Sequence, residues 1–378
     1  MMAALAPWRA RAQIASLAFG LLTSVPAAAQ APADAASAKP EEEKKPPAYH
    51  GSSASWEHNV SAQTFGIGDD PQSSNPTYTM GFALRPRYYF LDQPGSRLSL
   101  RGDAGIYREF TNSDSTTQRG EWSLSDTELL LVYMRRLLGP TASDALLGEI
   151  RPLSLVLPTS EASFESGRYF GAGAVLGLTK ATPLLRGRFK PDLSSVVRLA
   201  VGYRRWFARA TVPTNPGLQR VRLTPDGRSL PGDQLSGASL IRDELTLSAR
   251  FQLAFGEAVS WTTDFGFQPA WKYDVAEEVE LCGVVATGCT TVAVGEDDTR
   301  YLVRTQFNTE LGFRLYTGLS LELGYGSAAN QLGADGRRRG IFYNPDAGFY
   351  ASLTFTPDEL LSPPKKRSVQ GPHTSQSF

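Results

Sequence analysis

Hydrophobic and polar residues alternate along most of the chain between residues 56 and 356, and this two-residue period is typical of β-strands. Residues 245–255 show it plainly, with Leu, Ala and Phe side chains on one face and mainly Thr, Ser, Arg and Gln on the other. The alternation resumes after the short segment 256–258, which predicts a hairpin. The region sustains no helical period, so the pattern indicates an all-β domain.

The pattern predicts twelve strands, at residues 56–67, 77–91, 97–110, 122–137, 147–157, 169–180, 194–211, 240–255, 259–275, 300–315, 319–330 and 346–356. The connections after the second, eighth and tenth strands are short, whereas those after the odd-numbered strands are longer and polar. Such alternation is typical of a transmembrane barrel with tight turns at one membrane face and long loops at the other. The connection at residues 181–193 is longer than such a turn should be.

Strand length and aromatic spacing favour a membrane barrel over a soluble β-sandwich, whose strands also alternate. Several predicted strands keep the pattern for about 11 to 17 residues, whereas a tilted strand needs about 9–11 to cross a bilayer and a soluble strand usually has about 5–6. Trp261 and Trp271 share one face of a strand, and their spacing covers about 23 Å of the membrane normal. Tyr78 and Tyr88 have the same spacing on the second predicted strand. We expect these four residues to form aromatic girdles at the two membrane surfaces.

The polar faces of the predicted strands carry charges of both signs, which a small barrel would place in its lumen. The residues predicted to line this lumen as a pore are Arg85, Arg87, Arg101, Asp103, Arg250, Asp264, Lys272, Arg304, Glu310, Arg314 and Glu322. Pro86 and Pro269 fall inside predicted strands. Because proline cannot donate to a sheet ladder, we expect bulges or strand ends at both positions.

The two ends of the chain differ from the domain between them. Residues 1–29 have basic residues, a short apolar run and small residues in the order of a secretory signal peptide. Residues 30–55 and 357–378 contain too few large apolar side chains to offset the entropy of folding, and they predict a disordered linker and tail. The sequence therefore predicts one barrel domain at residues 56–356.

Charge and cysteine content narrow the chemistry. The formal net charge is zero, so no sequence-independent attraction to nucleic acid is expected. Cys282 and Cys289 lie close together in a predicted external loop, and in an exported protein this spacing predicts a disulfide. The sequence contains no pattern typical of a metal, nucleotide or haem site, so no cofactor is predicted.

The last predicted strand carries a family resemblance. Phe349, Ala351, Leu353 and Phe355 alternate up to an aromatic residue, and this resembles the C-terminal signal by which outer-membrane barrels are recognised for assembly. In that pattern the aromatic usually ends the chain, whereas residues 356–378 follow here. Residues 56–356 thus resemble the porin-like and channel-like outer-membrane barrels of Gram-negative cells, with no specific family indicated. The resemblance implies periplasmic termini, contact with outer-membrane lipid and lipopolysaccharide, and binding of the last strand to the barrel-assembly machinery.

Three functions remain open within this class. A twelve-strand barrel with a charged lumen predicts a narrow channel or transporter for small hydrophilic solutes. The alternative is a non-conducting scaffold whose external loops bind a surface partner or lipopolysaccharide, for example through Arg337, Arg338 and Arg339. A hydrolase would need a histidine base, and beyond the signal peptide the sequence offers His50, His58 and His373. No catalytic residue is assigned, and the sequence does not indicate an oligomeric state.

Overall fold

The structure, a computed structural model, describes residues 47–65, 76–111, 120–139, 144–185, 193–209, 211, 222–223, 229–230, 239–274, 278–282, 289–293, 300–331, 338–344 and 347–361. The predicted signal peptide, residues 30–46 of the predicted linker and residues 362–378 of the predicted tail lie outside these ranges. Much of the predicted external loops also lies outside these ranges.

The described residues form one antiparallel sheet that closes into a barrel of twelve strands, which confirms the predicted fold. The strands are β1 (Ser53–Ser61), β2a and β2b (Tyr78–Arg85 and Arg87–Gln93), β3 (Ser96–Glu109), β4a and β4b (Trp122–Leu124 and Thr127–Leu138), β5 (Leu146–Leu157), β6 (Arg168–Leu185), β7 (Leu193–Ala208), β8 (Ile241–Phe255), β9 (Val259–Lys272), β10 (Tyr301–Tyr316), β11 (Leu319–Asn330) and β12 (Gly348–Phe355). Each strand pairs with its sequence neighbours, and β12 pairs with β1 to close the barrel.

Small elements accompany the barrel wall. They are the helices α1 (Glu161–Glu165) and α2 (Pro357–Leu361), a 3₁₀ turn at Ala62–Phe65, and two hairpins, Arg222–Leu223 with Ser229–Leu230 and Glu278–Cys282 with Cys289–Ala293. Among the described residues, no helix is long and apolar enough to cross a bilayer.

The two ends of the barrel differ. At one end, which we call the turn end, β1 begins, β12 ends and the connections after even-numbered strands lie; the connections after odd-numbered strands lie at the opposite loop end. The connection predicted at residues 181–193 is shorter than expected, because β6 continues to Leu185 and β7 already begins at Leu193. The structure thus removes the exception to the alternation of short and long connections.

The barrel is apolar outside and charged inside. Large side chains exposed on its outer face include Phe82, Leu84, Leu199, Val201, Phe251, Phe265, Leu311 and Leu323. Charged side chains buried on its inner face include Glu109, Glu128, Glu149, Arg151, Arg198, Arg250, Asp264 and Lys272. A water-soluble fold buries the first group and exposes the second. This arrangement instead suits a lipid exterior, and closure satisfies the backbone groups of every strand without leaving an edge.

The two prolines behave differently. Pro86 separates β2a from β2b, as expected, and its carbonyl oxygen still accepts a hydrogen bond from the Gly102 amide at 2.9 Å. The same expectation is wrong for Pro269, since β9 runs through it and pairs it with Val303 of β10 without a register shift. The ladder between β9 and β8 omits Gln268 and Pro269 instead. The strand therefore tolerates the missing N–H by losing pairs on one side only.

The chain ends pack against the turn end. Helix α2 occupies the start of the predicted disordered tail, and the Gly51 amide donates to Asp358 Oδ2 at 3.1 Å. The ring of His50 stacks on Tyr89, with 4.2 Å between ring centroids. The ordered barrel therefore begins before residue 56 and includes residues beyond 356.

Candidate functional site

The inner face of the barrel holds the predicted lumen residues that carry charge, and most of them belong to networks. Two ion pairs join Arg85 to Asp103 and Arg250 to Asp264. Arg101 donates a hydrogen bond to Ser99, Arg304 donates one to Asn330, and Glu310 accepts one from Tyr350. Lys272 is buried. Arg87 and Glu322 lie on the same face, where Arg87 is in register with Arg101 and Glu322 is in register with Ser352. Arg314 lies at the mouth of the turn end, where its Nη2 is 3.3 Å from Glu359 Oε2 of α2.

The most enclosed charged network centres on Glu149 of β5. Its carboxylate accepts a hydrogen bond from Arg151 Nε and lies 3.2 Å from Arg198 Nη2 of β7. Because β6 separates β5 from β7, the Arg198 side chain reaches across the inside of the wall. All three side chains are less than a tenth exposed. Two arginines that water scarcely reaches therefore share one carboxylate, which leaves a net positive charge.

Further ion pairs follow the inner wall. Arg204 of β7 lies 2.9 Å from Glu128 of β4b, so its side chain reaches past the two intervening strands β6 and β5. Arg250 Nε lies 2.5 Å from Asp264 Oδ1, and these residues are direct partners in β8 and β9. Arg85 lies between two carboxylates, at 2.7 Å from Glu57 and 3.2 Å from Asp103. These charges of the wall are thus paired with one another.

Sequence reasoning missed Glu149, Arg151, Arg198 and Arg204 as inner-face residues. For β7 the signal was available, because Val197, Leu199, Val201 and Tyr203 alternate and point outward, which leaves the even-numbered residues inside. For β5 it was not. A register shift between Arg151 and Ser154 moves the inner face from odd to even positions.

A tyrosine and a glycine form a packed pair on the inner face. The hydroxyl group of Tyr350 in β12 donates to Glu310 Oε2 of β10 at 2.6 Å and so spans the intervening β11. Gly324 of β11 is in register with both residues. A Cβ atom at Gly324 would collide with the phenol ring. The absence of a side chain at Gly324 therefore allows the ring to lie across the strand.

Replacing Gly324 with alanine is expected to destabilise the barrel by about 1–3 kcal/mol, because the added methyl group overpacks the site and displaces Tyr350. The loss should be measured by urea unfolding in lipid, alone and combined with Tyr350→Leu. Since the two residues touch, their effects should be non-additive by at least about 0.5 kcal/mol. Strict additivity of the two changes would contradict this packing.

The inner face also contains apolar clusters that the sequence did not predict. One cluster joins Leu130, Val132, Met134, Ala181 and Val196, and another joins Val156, Trp206, Ile241 and Ala270. The guanidinium group of Arg168 lies 4.5 Å from the Trp206 ring. The lumen is therefore partly lined by apolar side chains and is not uniformly polar.

The two described histidines lie just before β1 and within it. His58 lies in the second half of β1, toward the loop end, and its Nδ1 lies 2.9 Å from Tyr78 Oη. His50 lies at the turn end, with its Nε2 3.5 Å from Asp92. In the described part of the chain, neither imidazole has a serine or threonine hydroxyl group within hydrogen-bond distance. The same residues include no cluster of three potential metal ligands.

The remaining predicted positions are the girdle and the cysteines. Tyr88, Trp261 and Trp271 are exposed on the outer face, and Tyr78 is partly exposed and packs against Phe110. The backbone places Cys282 and Cys289 directly opposite each other in a hairpin. This register is compatible with a disulfide, which stays a prediction that a thiol count on the exported protein would test.

No family model and no curated protein sequence matches the chain. Solved structures similar to it include an outer membrane channel from Pseudomonas putida, at 12% identity over 84% of this chain and 98% of that one, with a TM-score of 0.46. Others are the transport unit of the autotransporter AIDA-I from Escherichia coli (11% identity, 84% and 92% coverage, TM-score 0.38) and LpxR from Salmonella typhimurium (10%, 80% and 99%, 0.36). A closed antiparallel barrel of even strand number with an apolar outer face is the architecture of outer-membrane β-barrel proteins, and the chain has this architecture.

Proposed function

We propose that the protein is an outer-membrane channel that passes small hydrophilic solutes through a narrow lumen. The turn end and both termini would face the periplasm, and the loop end would face outward, as is usual for bacterial barrels. The last strand, which ends at Phe355, would bind the barrel-assembly machinery, and the outer face would contact lipid and lipopolysaccharide.

One observation carries the proposal: charged inner-face side chains keep accessible surface inside a closed wall. Arg85, Glu57 and Asp103 are 20%, 29% and 24% exposed although they point away from lipid. Within a closed barrel this surface borders space in the lumen. Ions and small solutes of matching polarity would find favourable partners along that space.

Conductance of the purified protein in planar lipid bilayers tests this function. Ala200 and Val201 are adjacent on β7, but Ala200 lies on the inner face beside Gly177 and Val201 is exposed on the outer face. We expect Ala200→Trp to lower the single-channel conductance because it narrows the lumen, and Val201→Trp to leave it unchanged. Folded protein without conductance or solute leak would instead favour the non-conducting scaffold, and equal effects of the two variants would contradict the assigned faces.

A further inference from the structure

One part of the inner wall concentrates arginines. Arg87 of β2b and Arg101 of β3 are direct cross-strand partners, and Arg101 also interacts electrostatically with Arg151 of β5. Arg151 and Arg198 share the Glu149 carboxylate. We call Arg87, Arg101, Arg151 and Arg198 the arginine cluster. Like charges placed opposite each other in a sheet are destabilising, so the cluster needs compensating negative charge.

The two strands that flank β3 place no carboxylate in register with Arg101. Its register partner on one side is Arg87, and on the other side it is the buried Leu130 of β4b. Glu149 attracts Arg101 electrostatically, but its oxygens accept hydrogen bonds from Arg151 and Arg198, and Arg198 Nε lies 3.3 Å from Glu149 Oε2. Among the described residues, Arg101 therefore has no carboxylate within ion-pairing distance of its own guanidinium group.

The hydrogen bonds of Arg101 leave most of its donors available. A guanidinium group has five N–H donors. Among the described residues, the one acceptor within hydrogen-bond distance of the Arg101 side chain is Ser99 Oγ, at 3.4 Å from Nε. Arg101 is also only partly buried, so part of this inner-face residue remains accessible.

Carboxylates elsewhere in the wall have positive neighbours. Glu310 of β10 and Glu322 of β11 lie on adjacent strands and interact electrostatically, and Glu322 also interacts with Arg85 and Arg250. The arginine cluster, by contrast, has four guanidinium groups around one shared carboxylate. Its net positive charge attracts an anionic group.

We propose that Arg101, supported by Arg87 and Arg151, binds the anionic group of a solute in the lumen. The planar fork of a guanidinium group pairs in a bidentate manner with carboxylate and phosphate oxygens, which are the anionic groups that fit this cluster. The site rests on the proposed channel function, and it makes the channel favour anions over cations.

Ion selectivity in planar bilayers tests the site separately from channel function. Under a KCl gradient, the reversal potential of the wild-type channel should show preference for chloride, and inorganic phosphate should reduce the chloride current. Arg101→Gln should lower the preference for chloride several-fold and abolish the phosphate effect while conductance persists. Arg101→Lys should keep much of the chloride preference but weaken phosphate binding, because it retains the charge and loses the fork.

Arg205→Gln provides the matched control, since it removes the same charge from the outer face of β7, where Arg205 is 49% exposed. It should leave selectivity unchanged. A conducting wild-type channel without preference for anions, or Arg101→Gln with wild-type selectivity and phosphate response, would overturn the anion site and leave the channel standing. Folded wild-type protein without conductance would overturn both.

Discussion

Replacing Leu199 with arginine is expected to destabilise the folded barrel in lipid by about 2–4 kcal/mol. Leu199 lies near the middle of β7 and is 56% exposed on the outer face, so lipid is its environment in a membrane. A guanidinium group at this depth loses its hydration. On a water-exposed surface the same change would stay within about 0.5 kcal/mol. The size of the effect therefore distinguishes a membrane wall from a soluble one.

Urea unfolding of the protein reconstituted in lipid vesicles would measure this loss. Leu315→Arg is the matched control, because Leu315 is also an outward leucine, 55% exposed, but lies at the turn end of β10. Near the interface an arginine should cost only about 0–1 kcal/mol. Small and equal losses for the two variants would contradict the assignment of the outer face to lipid.

The clearest strands were predictable because one face of each is uniformly apolar. The hairpin of β8 and β9 appears in the structure with nearly its predicted bounds, and Trp261 and Trp271 lie on the expected face. Membrane barrels need such alternation on strands long enough to cross the bilayer, and this makes their strand count readable from sequence. The arrangement of the lumen was harder to predict from sequence, because a polar strand face suits contact with bulk solvent as well as a hydrogen-bonded network inside a barrel.

Three local features escaped prediction for physical reasons. The sequence of β4b is apolar on both faces, so its pattern could not show that Leu130, Val132 and Met134 point inward. The register shift in β5 reversed the meaning of odd and even positions and concealed Glu149. Helix α2 follows the last strand in a segment of low apolar content, and it is held by contacts with distant residues such as Gly51 and Arg314.

Contacts between strands also determine the arginine cluster. Arg101 was predicted on the inner face from its own strand alone, but its shortage of partners depends on Arg87 and Leu130 from the two flanking strands. Register between strands is set by turns and bulges together with packing, and the period of a single strand does not contain it. The sequence therefore identified Arg87 and Arg101 as inner-face residues, and the structure added Arg151 and Arg198 with the carboxylate that they share.

Replacing Glu149 with glutamine is expected to destabilise the barrel by about 3–5 kcal/mol, because it leaves Arg151 and Arg198 buried without a counter-charge. The exposed fractions of the three side chains are 3%, 9% and 5%, so lumen water would compensate little.

Glu257→Gln removes the same charge at the turn end, where the carboxylate is 45% exposed and 4.0 Å from Arg314, and it should cost at most about 1 kcal/mol. Urea unfolding in lipid would compare the two variants. Adding Arg198→Gln to Glu149→Gln should restore part of the lost stability, since it removes one of the unpaired charges. A loss for Glu149→Gln no larger than that for Glu257→Gln would mean that water screens the network, and the arginines would then not require their shared carboxylate.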